Sequence, residues 1–125
     1  MAQGEGPNLV KLDDFKGEVE EHWQEARGRA VLDKSGDEVG SVEELYVWEE
    51  PSTVHLIKVS GEGGSFLIPV HAVTNVDDDG VKLETAKDKV TGSRRYDSED
   101  VPDDETRRAA FDHYGYPDPL DLGGV

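Results

Sequence analysis

Residues 28–85 alternate between short apolar segments and turns rich in glycine and aspartate, and no other feature constrains the fold as strongly. The segments form three successive pairs: 28–33 with 38–48, 53–60 with 65–70, and 73–77 with 81–85. Their β-branched and aliphatic residues are typical of strands, and the intervening turns are short enough to close hairpins. Strands of this length, joined by so little chain, predict a mainly β protein built on a small antiparallel β-barrel.

The segment before these strands has an amphipathic pattern. Its apolar residues recur every three or four positions: Leu12, Phe15, Val19, Trp23 and Ala26. This spacing predicts an N-terminal helix with one apolar stripe, although Gly17 favours a start after that residue. Such a stripe either packs on the chain's own barrel or docks on a separate partner, and the first alternative is favoured because most amphipathic stripes are buried within their own domain.

A second helix is predicted near the carboxyl-terminal end. Pro102 and Asp103 are residue types that begin helices, and the acidic residues that follow suit the helix dipole. Ala110 and Phe111 then share a face with Tyr114, before a glycine that ends the helix. The chain is thus divided into an acidic amphipathic segment (1–22), a barrel (23–87), and a linker with the C-terminal helix and a frayed tail (88–125).

The net charge limits the classes of partner. It is −16, from 29 acidic and 13 basic residues, and the two ends are more acidic per residue than the middle. Phosphate backbones and anionic lipid headgroups bind clustered lysine and arginine, so neither a nucleic acid nor a membrane is expected as a partner. The sequence has no long apolar run and no basic, apolar leader, which together predict a cytoplasmic location.

The four histidines are the first candidates for metal or acid–base chemistry. Counting from the turn of the second hairpin places His55 and His71 on different faces of the sheet. His22 and His113 lie on the two predicted helices, where packed surface imidazoles are expected. Because first-row metals need three or four ligands in one place, no metal site is predicted.

The first predicted turn has a partial calcium-loop spacing. Asp33, Ser35, Asp37 and Glu44 match positions one, three, five and twelve of such a loop. Glu38, however, takes the sixth position, which requires glycine, and the surrounding pattern is that of strands. A polar hairpin turn is therefore favoured, with weak cation binding as the alternative.

No catalytic constellation is readable. The serines lie mostly in turns or at strand ends, outside any nucleophile-elbow sequence, and the glycines at 61–64 are not followed by a helix that would hold phosphate. We therefore expect a protein that is not an enzyme and that uses no cofactor.

Several segments resemble the PRC-barrel domain family. The resemblance is in Gly-Arg-Ala-Val at 28–31, Asp33, the stretch 35–47 that begins Ser-Gly-Asp-Glu-Val-Gly, Phe-Leu-Ile-Pro-Val at 66–70 and Val-Asp-Asp-Asp-Gly-Val at 76–81. It covers residues 23–87, and 96–114 is similar to the tail of stand-alone bacterial members. The family includes the globular part of the H subunit of photosynthetic reaction centres and a domain of a ribosome-maturation factor. Membership implies a docking module on larger assemblies, without shared catalytic residues.

These observations favour a non-enzymatic protein-binding or scaffolding module, whose partner the sequence does not identify. The candidate interaction surface consists of aromatic residues: Trp23, Tyr46, Trp48, Phe111, Tyr114 and Tyr116. Packing of these rings inside the chain is an equal alternative. A homodimer is expected, because so small a barrel has little interior with which to cover the two helical stripes.

Two other classes of function are left open. The first is an acidic, stress-related or solubility-conferring protein, in which charge matters and no pocket is needed. The second is a weak cation or small-ligand binder that uses the turn carboxylates of Asp33, Asp37 and Glu44.

Overall fold

The computed structural model describes residues 9–12, 21–48, 53–61, 64–97, 101–102 and 104–116. Within these ranges the strands are β1 (Leu9–Lys11), β2 (Ala30–Leu32), β3 (Glu38–Trp48), β4 (Thr53–Gly61), β5 (Gly64–Pro69), β6 (Val73–Asp77) and β7 (Gly80–Leu83). The helices are α1 (Glu21–Gln24), α2 (Lys87–Thr91) and α3 (Asp104–Tyr114), and Val70–Ala72 form a short 3-10 helix.

The seven described strands form one sheet in which β5, β4, β3, β2, β7 and β6 are successive neighbours. Strand β1 pairs with the far end of β3, where Leu9 lies opposite Trp48. Each of the three predicted hairpins is present, as β2–β3, β4–β5 and β6–β7. The protein is therefore mainly β, as the alternating segments predict.

The prediction of an antiparallel barrel is corrected in two respects. Strands β2 and β7 pair in parallel, with Val31 opposite Val81, so the sheet is mixed. The sheet is also not closed into a complete ring. Close approach of the two parallel strands depends on Gly80, where a Cβ atom would lie 2.3 Å from the carbonyl oxygen of Ala30.

The main core lies on one face of the sheet. It contains five buried aliphatic residues of β2 and β3: Val31, Val39, Val42, Leu45 and Val47. Strands β4 and β5 contribute Ile57, Val59 and Ile68 to the same core, and α2 contributes Val90. Burial of this aliphatic surface is the principal stabilising contribution to the fold.

A second, smaller core lies on the outer face of β3, β4 and β5. Tyr46, Leu56 and Leu67 pack there against Phe111 of α3. The C-terminal helix therefore covers one face of the sheet, and the chain has two apolar layers where the sequence predicts one barrel interior.

In the amino-terminal segment, the described residues form strand β1 and helix α1 at Glu21–Gln24. Trp23 and Ala26, the last two members of the predicted stripe, are buried in the main core. Phe15 and Val19 lie outside the described residues.

Candidate functional site

The C-terminal helix α3 ends at a defined stop. Gly115 has a φ of +81°, which suits glycine. Its amide donates to the carbonyl oxygen of Asp112 (3.1 Å), and the amide of Tyr116 donates to that of Phe111 (3.1 Å). This pair of hydrogen bonds is a Schellman motif, which satisfies carbonyl groups at the helix end and fixes the direction of the chain that follows.

Phe111 attaches α3 to the sheet through two histidine rings. His55 stacks on Phe111 with ring centroids 4.9 Å apart, and His71 meets it edge-on at 5.8 Å. The expectation that the two imidazoles lie on different faces of the sheet is therefore wrong. His55 occupies a bulge, because Tyr46 pairs with Leu56 while Val47 already pairs with Val54. A bulge interrupts the alternation of side chains along a strand.

Tyr116 extends this contact beyond the end of the helix. Its ring stacks on His71 at 5.7 Å, and its hydroxyl donates to the Glu84 carboxylate. Burial, together with the hydrogen bond and the charge of Glu84, raises the pKa of Tyr116 to about 12. The phenol is therefore protonated at neutral pH and acts as a hydrogen-bond donor that ties the end of α3 to the segment after β7.

The extended segment after α2 runs along the outer edge of β5. The amide of Tyr96 donates to the Ser65 carbonyl oxygen (2.7 Å), and the amide of Ser65 donates to Asp97 Oδ1 (3.0 Å). Arg95 forms an isolated bridge with Phe66. Gly64 makes room for the stem of Arg95, since a Cβ at that glycine would lie 2.6 Å from the arginine Cδ. These contacts hold residues 95–97 against the sheet.

A buried polar cluster packs against the same segment. Lys58 is only 2% exposed, and its Nζ lies 3.2 Å from Glu43 Oε2 and 5.5 Å from the centre of the Tyr96 ring. Ser65 Oγ donates to Glu43 Oε1 (2.8 Å). A buried lysine requires such partners, because an uncompensated charge in the interior is costly. The cluster therefore positions Tyr96, and its role is structural.

A groove separates this segment from α3. Segment residues Ser93, Arg94, Arg95 and Tyr96 form one wall, helix residues Thr106, Ala109, Ala110 and His113 form the other, and Leu67 lies between them. The open volume is about 300 Å³. Most of the surface that lines the groove is apolar, while Arg94 and Arg95 are exposed at its rim. The groove exists because short side chains occupy the facing positions of the helix.

The structure places most of the predicted aromatic surface inside the chain. Trp23, Tyr46 and Phe111 are at most 6% exposed and pack in the two cores, which is the alternative of internal packing. Tyr114 and Tyr116 are half-buried against the main core. The side chain of Trp48 lies outside the described part. Tyr46, Phe111 and Tyr116 come together around the second core, whereas Trp23 lies in the main core.

The turn carboxylates bind the protein's own backbone. Asp33 Oδ1 accepts hydrogen bonds from the amides of Ser35 (2.8 Å) and Asp37 (2.9 Å), and Oδ2 accepts one from Lys87 (2.8 Å). Burial alone would raise the pKa of Asp33, but hydrogen bonds from Lys87, Asp37 and Ser35 outweigh it and hold the pKa below its ordinary value. Asp33 thus joins the β2–β3 turn to the start of α2.

Glu44, the twelfth residue of the calcium-like spacing, lies within β3 and faces Arg27, with Oε1 3.8 Å from the guanidinium Nη1. His113 Nε2 lies 2.8 Å from the carbonyl oxygen of Lys89. The side chain of His22 is outside the described residues. Among the side chains that the structure describes, no three histidine, aspartate or glutamate residues are grouped so that they could hold a metal ion.

The sequence analysis did not predict the groove, although it placed Ala110 and His113 on the C-terminal helix. Two signals could have pointed to it: the adjacent pair Arg94 and Arg95 in a strongly acidic chain, and the adjacent pair Ala109 and Ala110 beside a large aromatic residue. Neither pair is distinctive alone, because only the fold brings them to opposite walls of one groove.

None of the helices in the described ranges is long and apolar enough to cross a membrane.

Comparison with known proteins identifies the family. No curated protein matches the chain. The family model of the PRC-barrel domain matches residues 18–90, which include β2 to β7 and most of α2. With more than half of its length matched, the chain belongs to the PRC-barrel domain family.

Proposed function

We propose that this PRC-barrel chain is a non-catalytic module that binds the surface of another protein. The observation that carries the proposal is the groove beside α3, which combines an apolar lining with two exposed arginines. Apolar contact area flanked by polar groups is the usual composition of a protein-binding patch. Docking is also the role implied by the family.

The polar side chains of the described region support a non-catalytic role. Asp33 binds three backbone amides, Lys58 pairs with Glu43, and His55 and His71 pack on Phe111. Each of these groups has a structural partner that accounts for its position. A nucleophile and a base held at hydrogen-bond distance beside a cleft would favour an enzyme.

Partner capture at two salt concentrations tests the proposal. Tagged protein is incubated with extract at about 50 mM and about 300 mM salt, and the retained proteins are identified by mass spectrometry. A specific partner is retained at both concentrations in stoichiometric amount. An acidic protein whose charge alone matters, the function that the net charge of −16 favours, would release its contacts at the higher concentration. That result would contradict the binding module.

We propose separately that the chain forms a homodimer. The two apolar helical stripes include Phe111 and Trp23, which are 1% and 6% exposed in the single chain. A dimer contact therefore does not depend on the side chains of Phe111 and Trp23. Light scattering at tens of micromolar protein and several salt concentrations measures the mass, and the mass of one chain under every condition would exclude the dimer.

A further inference from the structure

We draw no further inference here: the strongest candidate, the groove between α1 and β6 that Trp23, Val73 and Val76 line, is a partly apolar surface, and nothing in the described part of the structure shows what covers it.

Discussion

The imidazole of His55 stacks on the ring of Phe111, with centroids 4.9 Å apart and ring planes inclined by 28°. Both side chains are at most 2% exposed, so the contact joins α3 to β4 inside the second core. This contact helps to make a helix that lies outside the sheet part of the folded unit.

Phe111→Ala should therefore destabilise the protein by about 3 to 5 kcal/mol, because it leaves a large cavity between α3 and the sheet. Urea unfolding followed by circular dichroism measures the change. Asp112→Ala, at the next and exposed position of the helix, is the control and should change stability by less than about 0.5 kcal/mol. A Phe111→Ala loss as small as that of the control would mean that α3 does not dock through this ring.

Leu45→Ala tests the main core. Leu45 is fully buried among aliphatic residues of the main core, and its truncation should cost about 2 to 4 kcal/mol. Lys34→Ala, in the exposed turn between β2 and β3, should cost less than about 0.5 kcal/mol. Urea midpoints and slopes of the two variants are compared. A loss below about 1 kcal/mol for Leu45→Ala would contradict the burial of this side chain.

The sequence predicts the main core and the hairpins correctly, since strand alternation and turn chemistry are local signals. Val42 and Leu45 are buried as that pattern requires. The bulge at His55 is not predictable in the same way, because no glycine or proline marks it and its effect depends on pairing with β3. That bulge is the reason why the two histidines meet one ring.

The sequence also does not predict the contacts between segments that are far apart along the chain. The parallel pairing of Val31 with Val81 joins the first of the three hairpins to the last. The groove likewise forms where the segment containing Arg94 passes α3, and no periodicity reports that approach. The composition predicts an acidic surface, and it does not indicate that two exposed arginines lie together at the rim of this groove.

Asp33→Asn should reduce stability in a manner that depends on pH. The pKa of Asp33 is held below its ordinary value of 3.8, so the carboxylate stabilises the folded state above pH 3.8, and this contribution disappears as the pH falls through the lower, folded-state pKa. In asparagine an NH2 group replaces one of the two carboxylate oxygens. An NH2 group at the position of Oδ2 cannot accept the hydrogen bond from the Lys87 amide. The difference between wild type and variant should thus be constant from pH 7 to pH 5 and shrink in stronger acid.

Urea unfolding at pH 7, 5 and 3 measures this difference. Asp37→Asn, an exposed carboxylate in the same turn, is the matched control and should show a smaller effect at pH 7. A wild-type advantage that is the same at pH 3 as at pH 7 would mean that the charge of Asp33 does not contribute, and that the variant acts through shape alone.

Gly80→Ala tests the parallel pairing of β2 with β7. The glycine has a φ of +135°, and a Cβ there would lie 2.3 Å from the Ala30 carbonyl oxygen, so the two strands would have to separate. Gly28 is the matched control: it also has a positive φ, of +84°, but a Cβ there would have no neighbour within 4 Å. Gly28→Ala should cost about 1 to 2 kcal/mol from backbone strain alone. Gly80→Ala should cost at least about 1 kcal/mol more, because the backbone it meets cannot move aside as a flexible side chain could.

Urea unfolding of both variants gives the two losses, and hydrogen exchange of the Val31 and Val81 amides locates the effect. Equal losses, with unchanged protection of those amides, would contradict the close approach of β2 and β7.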